Sequence, residues 1–412
     1  MLSEWNEITI ENTDALNSWF GDQVSLRDNQ LLVGAPGYFN DQPHRGGDGW
    51  GRVYVYDPIT GAQTGLLTPN DDQMPQWFGS ITASDGVYTA VTGSIDGESL
   101  IYIYEGDSTT PSHILHNQQD AELGAYSIAM DNNLIAVMYR EDLYESHTVL
   151  FDISTGSELA RFPGGLATQA DTTTQNIAMH DGLLALRTGY DDGTDAPRVF
   201  VYSTETFELV HELTPEQPEG GFGASIAIND EYIVVGNAFN SVPSPRDADA
   251  SGVVEIFDRE TGERVSSFMP GDIVGDPFVA NSIAINDRYV AIGSLWNRLV
   301  YLVDLHDTER AWRVGYQEYA TYWADEFGAS LTMDEDLLVV GSRNFQEGVV
   351  VTYNIGCPGD RDGDRSLTTL DAIDFIQAFV SSDNSADLNE DGLFDFHDVS
   401  QYMRLYQAGC FE

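Results

Sequence analysis

The sequence predicts a mostly β protein, a seven-bladed β-propeller closed by its N-terminal strand and followed by a small helical domain. Three observations lead to this prediction. One order of four short apolar runs recurs seven times between Phe20 and Tyr353, the chain begins with a strand-like run outside these units, and two similar acidic loops follow Cys357. We therefore divide the chain into residues 1–356 and 357–412.

The fifth unit shows the pattern most completely. Residues 222–228 lead through an Asn-Asp turn to a second apolar run at residues 232–235. After a polar loop, residues 252–257 alternate between apolar and polar positions, as a half-buried strand does, and residues 264–269 return as a fourth strand. Asp258 and Gly262 suit the intervening hairpin, because Asp accepts backbone hydrogen bonds and Gly adopts positive φ.

An apolar position near the start of each unit fixes the repeat. Taking Ile226 as the reference, successive units are 47 to 57 residues apart. The corresponding residues are Val24, Ile81, Ile128, Ile177, Ile226, Ile283 and Leu331. Four strands per unit at this period are typical of a β-propeller, and a long β-solenoid or two β-sandwiches are the alternatives.

The two ends of the repeat region favour the closed ring. The last unit ends near Tyr353 without a fourth strand, whereas residues 5–12 form a strand-like run without a unit of their own. Pairing of these two segments removes the exposed edges that an open solenoid leaves at both ends.

The units also carry a recognisable local sequence. Phe20-Gly21, then residues 33–36 (Val-Gly-Ala-Pro) and residues 51–56 (Gly-Arg-Val-Tyr-Val-Tyr), resemble FG-GAP repeats, the blades of integrin-α-type propellers and of many secreted bacterial proteins. The resemblance implies the propeller fold and says little about function. No loop has the full Asp-rich calcium consensus of that family, so we predict no metal site in the propeller.

The charge of the chain excludes two classes of partner. With 18 Lys and Arg residues against 67 Asp and Glu residues, the formal net charge is −49, and every basic residue except histidine is arginine. Such a surface repels nucleic acid and anionic lipid. Screening cations, as in saline surroundings, would stabilise it, although the acidity is also explained by solubility alone. No apolar run is long enough to span a membrane.

The two cysteines, Cys357 and Cys410, enclose the C-terminal segment. This placement predicts a disulfide and an oxidising compartment, hence a secreted or cell-surface protein; two free thiols are the alternative. Met1 is not followed by the apolar segment of a signal peptide.

The sequence indicates ligand sites on the propeller less specifically than it indicates the fold. Three polar insertions at residues 38–50, 191–197 and 241–251 follow the second strand of their units, so we expect them on one face of the ring. Tryptophans at or near loops could bind sugar rings or peptide side chains, or could fill the seams between blades. These are Trp50, Trp77, Trp296, Trp312 and Trp323.

The C-terminal segment contains the most specific motif. From Asp360, oxygen-bearing side chains occupy positions one, three, five, nine and twelve of a loop, and a helix-like run follows. The pattern returns 27 residues later from Asp387. A twelve-residue loop of this kind supplies the oxygen ligands that Ca²⁺ requires, and the apolar Leu367 and Phe394 at position eight anchor each loop. The sequence therefore predicts two calcium ions.

Asp at position twelve, the 27-residue spacing and no preceding helix make residues 357–412 resemble a type I dockerin. The resemblance implies a cohesin-like partner, although the family's contact positions hold Thr369-Leu370 in one half and Phe396-His397 in the other, which argues against a symmetric dual binding mode. Arg365 replaces the usual glycine of the first loop. The implied calcium ligands are Asp360, Asp362, Asp364, Ser366, Thr368 and Asp371 in the first loop, and Asp387, Asn389, Asp391, Leu393, Asp395 and Asp398 in the second.

Two functions fit these features. The first is a secreted calcium-binding assembly protein, whose propeller loops bind a glycan or protein ligand and whose dockerin-like domain docks it to a cohesin-like partner or the cell surface. The alternative is a carbohydrate-active enzyme, a glycoside hydrolase or polysaccharide lyase, with its active site on the propeller. Because the sequence contains no recognisable catalytic motif, it favours the first and identifies no catalytic residue.

Overall fold

A computed structural model describes most of the chain, and the chain divides into two compact units, Met1–Tyr353 and Asn354–Glu412. The predicted boundary between residues 356 and 357 stays a prediction. The described residues are 7–11, 19–27, 30–37, 51–69, 75–116, 124–140, 146–163, 175–188, 197–216, 221–238, 252–269, 279–295, 297–315, 326–343, 348–356, 368–383, 386–388 and 392–408.

The first unit confirms the predicted seven-bladed β-propeller: its described residues form seven four-stranded antiparallel sheets. We number the sheets in chain order. Sheet 1 contains β2 to β5 (Gln23–Arg27, Gln30–Ala35, Arg52–Tyr56, Gln63–Leu67), sheet 2 β6 to β9 (Thr82–Ser84, Tyr88–Ile95, Glu98–Glu105, His113–His116), sheet 3 β10 to β13 (Gly124–Asp131, Leu134–Arg140, Ser146–Asp152, Ser157–Pro163), sheet 4 β14 to β17 (Ile177–His180, Leu183–Thr188, Arg198–Ser203, Leu209–Leu213), sheet 5 β18 to β21 (Gly221–Ile228, Tyr232–Ala238, Val253–Asp258, Arg264–Phe268), sheet 6 β22 to β25 (Val279–Ile285, Tyr289–Ser294, Leu299–Asp304, Asp307–Val314), and sheet 7 β26 to β28 (Glu326–Asp334, Leu337–Arg343, Val349–Asn354) with β1 (Glu7–Glu11).

The predicted closure by the N-terminal strand is confirmed. β1 pairs antiparallel with β28, from Glu7 opposite Tyr353 to Glu11 opposite Val349. Ile10 points into the seam between sheets 7 and 1, where it packs with Val350 and Phe20. The first segment of the chain thus completes the last sheet.

The repeat positions agree with the structure in six units and differ in one. Val24 pairs with Val33 and Ile226 with Val235, each on the second strand of its sheet. In sheet 2 the corresponding pair is Thr82 with Val91, so Thr82 and not the predicted Ile81 is the equivalent residue. In the four sheets with a Phe-Gly pair, the equivalent residue lies four positions after the Phe, and in sheet 2 hydrophobicity favours the neighbouring Ile81 instead.

The core of the ring lies in the seams between neighbouring sheets. Between sheets 5 and 6, for example, Val254 and Ile256 pack with Ile283 and Ile292. The second and third strands bury both faces, because each sheet has a neighbour on either side. This explains why the strands contain apolar runs such as Ile233, Val234 and Val235, all fully buried.

Glycines allow close backbone contacts across these seams. The glycine of the Phe-Gly pair has a φ of +81° to +86° in sheets 1, 2, 5 and 7, a conformation that glycine adopts without strain. Its carbonyl in one sheet approaches a second-strand glycine of the preceding sheet. A Cβ added at Gly341, for instance, would overlap the Gly21 carbonyl oxygen across the closing seam. Gly34 and Gly293 face Gly79 and Gly328 in the same way.

The hairpin between third and fourth strands follows the predicted mechanism. The Asp57 carboxylate accepts hydrogen bonds from the amides of Ile59 at 2.8 Å and Thr60 at 2.9 Å, and Gly61 has a φ of +67°. The Thr60 and Ile59 amides hold the pKa of Asp57 below its usual value. In sheet 4, Phe207 takes the glycine position and still adopts a φ of +60°.

The second unit contains two helices, α1 (Thr369–Ser381) and α2 (Phe396–Ala408). Thr368 caps α1 and forms a capping box with Asp371, and Ser382 ends the helix in the left-handed conformation. Phe375 of α1 stacks on Tyr402 of α2, with ring centroids 4.0 Å apart and planes 4° from parallel. This stack is the centre of a small core.

Candidate functional site

The structure describes six of the twelve predicted calcium ligands. They are Thr368, Asp371, Asp387, Leu393, Asp395 and Asp398. The other six, Asp360, Asp362, Asp364, Ser366, Asn389 and Asp391, lie outside the described residues, as do Cys357 and Cys410. Within the described part of the chain, no three His, Cys, Asp or Glu side chains are grouped so as to hold a metal ion.

The two position-twelve aspartates have equivalent surroundings. Asp371 and Asp398 are fully buried, each in the first turn of its helix. The Asp371 carboxylate accepts the Thr368 amide at 2.7 Å, and the Asp398 carboxylate accepts the Asp395 amide at 2.9 Å. Asp398 also accepts the Leu388 amide at 3.0 Å. Fully buried carboxylates are costly, and a nearby cation would offset that cost.

Two described residues of the second predicted loop have features that a calcium loop needs. Gly392 at position six has a φ of +76° and donates its amide to the Asp387 carboxylate at 2.8 Å. Phe394 at position eight packs into the helical core, where its ring meets Phe379 edge to face at 6.5 Å. A sharp turn at position six and an apolar anchor at position eight are the features that such a loop needs.

The two halves of this unit are related by the 27-residue repeat. Phe375 and Tyr402, which stack on each other, are separated by 27 residues, and so are Asp371 and Asp398. The contact between Thr368 and Asp371 is repeated by Asp395 and Asp398. The described residues of the two predicted loops therefore have equivalent local contacts, and the helices that follow them share one core.

An apolar surface covers part of this unit. We call the exposed side chains of Leu370, Ile373, Ile376 and Val380 on α1 the α1 face; Val380 is 78% exposed. On α2, Phe396 is 77% exposed and Met403 about half exposed. Leu370 and Phe396 stand at the positions that the dockerin resemblance assigns to partner contact. Exposed apolar side chains at this density make the α1 face a candidate interaction surface.

The propeller encloses a central channel of about 240 Å³ lined by the first strands of the sheets. Its described lining combines aliphatic side chains, such as Ile128 and Ile226, with polar ones, such as Arg27, and contains no carboxylate. Gln175 of sheet 4 reaches across the channel, where its amide nitrogen lies 3.5 Å from the Leu331 carbonyl of sheet 7.

The clearest perturbed carboxyl group of the propeller is Glu255 in sheet 5. It is almost fully buried, and burial raises the pKa of its carboxyl. The Glu216 amide and the Arg264 guanidinium oppose this rise, the latter with its Nε 2.9 Å from the carboxylate. Because all these groups belong to sheet 5 and its preceding segment, we interpret this cluster as structural.

The predicted insertions at 38–50, 191–197 and 241–251 lie outside the described residues, apart from Pro197. Trp50, Trp296 and Trp323 also lie outside them. Trp312 packs edge to face on Tyr289 at 5.9 Å, a contact within sheet 6 and not across a seam. Trp77 is 38% exposed and pairs with Trp19 at a centroid distance of 5.9 Å.

Sequence reasoning missed Trp19. It precedes Phe20-Gly21 as Trp77 precedes Phe78-Gly79, so the repeated Trp-Phe-Gly triplet was the signal. No described helix is long and apolar enough to cross a membrane.

Comparison with known proteins supports the fold. No protein-family model matches the sequence, and no curated protein matches it. Among solved structures, Kuenenia stuttgartiensis hydrazine synthase aligns with a TM-score of 0.57 and 12% identity over 80% of this chain and 93% of its own. The Neurospora crassa Pan2 WD40 domain aligns with a TM-score of 0.54 and 11% identity over 85% and 95%. BamB from Moraxella catarrhalis gives a TM-score of 0.46 and 12% identity over 85% and 99%. At such identities the likeness shows the fold alone.

Proposed function

We propose that the protein is a secreted or cell-surface docking protein whose helical unit is a calcium-binding, dockerin-like module with a cohesin-like partner. The α1 face carries this proposal, because it presents four exposed apolar side chains on one helix of a two-helix unit. In this proposal the propeller, of the FG-GAP type, presents a second binding surface.

Calcium fits the residues present. The two loops would hold one ion each, with Asp371 and Asp398 as the buried carboxylates and Asp387 at the first position of the second loop. Carboxylate, amide and carbonyl oxygens are the ligands that Ca²⁺ prefers. Bound calcium would supply positive charge that compensates the carboxylates gathered in each loop. The Cys357–Cys410 disulfide would then join the two ends of the module.

Calorimetry tests the calcium dependence. With EDTA, the small unfolding transition of the helical unit should disappear while the propeller transition stays in place. Calcium at a hundredfold excess over its Kd should stabilise the unit by about 2.7 kcal/mol. Asp398→Asn should weaken calcium binding, and Asp374→Asn, at an exposed position of α1, is the matched control. A propeller transition that collapses with EDTA would place the calcium in the other unit.

Binding to a panel of purified cohesin modules tests the docking. Binding should require calcium and should weaken about tenfold or more in Ile373→Asp, because a buried charge would replace an apolar contact. Val265→Asp, at an exposed apolar position of the propeller, is the control and should bind normally. Binding that persists in EDTA, or absence of binding to every module, would contradict the proposal.

A further inference from the structure

Trp19 and Trp77 form a pair on the propeller, and both have a backbone conformation that the propeller fold does not require. Both residues precede the Phe-Gly pair of their sheets, at equivalent positions of sheets 1 and 2. Each has a positive φ, +59° for Trp19 and +57° for Trp77. A bulky side chain in this conformation is a strained arrangement, and such strain is concentrated at functional sites. The corresponding position of sheet 5 is Gly221 and that of sheet 7 is Glu326.

The backbone holds both tryptophans rigidly. The next residues, Phe20 and Phe78, are buried, and Phe78 meets Tyr102 edge to face at 5.4 Å. Each tryptophan carbonyl accepts the amide three residues later at 3.0 Å. The two indole rings are tilted by 38° and remain partly exposed. Large aromatic groups fixed in this way lose little entropy on binding a partner.

Two exposed carboxylates lie at the end of sheet 2 that carries Trp77. Gln76, next to Trp77, forms a two-bond β-bridge with Ser94, with N···O distances of 2.7 and 2.8 Å. Two residues beyond Ser94, the hairpin between β7 and β8 carries the exposed Asp96 and then Glu98. The bridge is antiparallel, so Trp77 and Asp96 lie on opposite sides of it, and at about 3.3 Å per strand residue they are roughly 10 Å apart along the strand direction.

We propose that Trp19 and Trp77, with Asp96 and Glu98, form a docking surface for a cationic segment of a partner protein, one that presents an arginine or lysine to the indole rings. Cations bind to the face of tryptophan better than to other aromatic rings, and the carboxylates of the nearby β7–β8 hairpin add attraction. The formal charge of −49 favours a basic partner over an acidic one. The inference rests on the proposed binding role of the propeller and is independent of the helical unit.

A site-resolved measurement tests this surface. The full chain is labelled with 5-fluorotryptophan, and two of its seven tryptophan resonances are assigned to Trp19 and Trp77 by substitution. The probe is a five-residue peptide with two arginines, at a salt concentration of about 0.15 M that screens distant charges. The same peptide with citrulline, a neutral isostere of arginine, and a set of neutral glucan hexasaccharides are the comparison probes.

The arginine peptide should shift the Trp19 and Trp77 resonances, and the citrulline peptide should not. Trp77→Gly should lower the affinity about threefold to fivefold. Glycine adopts the Trp77 backbone conformation without strain, so thermal unfolding should show an intact fold. Asp96→Asn with Glu98→Gln should lower the affinity about threefold.

Phe207→Gly is the matched control. Phe207 is 39% exposed, has a φ of +60° and lies between Glu205 and Glu208, but it belongs to the hairpin between third and fourth strands, at the other end of the sheets. Its substitution should leave the affinity unchanged. Equal shifts with citrulline, shifts with the glucans alone, or no shift with any probe would overturn the proposal. The cohesin experiment depends on the helical unit, so either proposal can fail without the other.

Discussion

Ring closure by β1 should make one side chain near the N-terminus essential for the whole propeller. Ile10 is 3% exposed and lies in the seam that joins sheet 7 to sheet 1. Ile10→Ala removes three buried carbon atoms. At about 0.8 kcal/mol each, this change lowers the free energy of unfolding by about 2.4 kcal/mol. The remaining cavity raises the expected loss to about 3 to 4 kcal/mol.

Thr9 provides the control on the same strand. Its side chain points to the exposed face, opposite Ile10, and its backbone pairs with Val351. Thr9→Ala keeps the strand and its ladder, so the loss should stay below about 1 kcal/mol, the range of strand propensity.

Guanidinium chloride unfolding, followed by circular dichroism, measures both variants. Ile10→Ala should lower the midpoint of the propeller transition clearly, with an unchanged slope, and Thr9→Ala should leave it nearly in place. Deletion of residues 1–12 should have a larger effect and should also promote association, because β28 becomes an exposed edge. Equal midpoints for Ile10→Ala and Thr9→Ala, or an unshifted transition in the deletion, would refute the closure argument.

Three further predictions concern the seams and hairpins. Gly341→Ala should destabilise the propeller by about 2 kcal/mol in chemical unfolding, because the new Cβ overlaps a carbonyl oxygen. Gly65→Ala is the control, because its Cβ meets only ordinary contacts. Equal losses of unfolding free energy in the two variants would contradict this prediction. Phe207→Gly should unfold at higher denaturant than Phe207→Ala, by about 1 kcal/mol, since only glycine adopts the φ of +60° without strain; the reverse order would be contrary evidence. Burial raises the pKa of Glu255 in the folded state above its usual 4.5. The free energy of unfolding of the native protein, relative to that of Glu255→Gln, should therefore be greatest below pH 4.5 and should fall as the pH rises above it. A difference between the two proteins that stays constant with pH would refute the assignment.

The sequence predicts the fold well because the residues that each structural feature requires recur in several repeat units. The hairpin aspartates, the Phe-Gly pairs and the unpaired N-terminal strand all recur or complete a pattern, so errors in one unit are corrected by the others. The shift from Ile81 to Thr82 shows the limit of hydrophobicity as a guide. In sheet 2 the backbone conformation of Phe78-Gly79 places Thr82, and not Ile81, opposite Val91, although Thr82 is the less hydrophobic of the two residues.

The candidate surfaces are predictable only in part. The proposed calcium loops can be predicted from spacing, since one short segment contains all their candidate ligands. The Trp19–Trp77 pair depends on two residues from different units meeting across a seam, which spacing alone does not reveal. The α1 face likewise needs the structure, because sequence periodicity shows an apolar helix without showing which side chains the core covers.

Residues that differ from the repeat pattern indicate positions of the propeller that serve a purpose other than folding. Arg187 occupies the second-strand position that is glycine at Gly34 and Gly341, and its side chain fills the space that a Cβ on Gly223 would need. Gln175 crosses the channel instead of packing within its sheet. Trp19 and Trp77 adopt a conformation that suits glycine. A propeller needs none of these residues for closure, and natural proteins break local rules mainly at functional positions. Among these departures, the tryptophan pair presents large, partly exposed apolar groups at the end of sheet 2 that also carries Asp96 and Glu98, and this combination is suited to a basic protein partner.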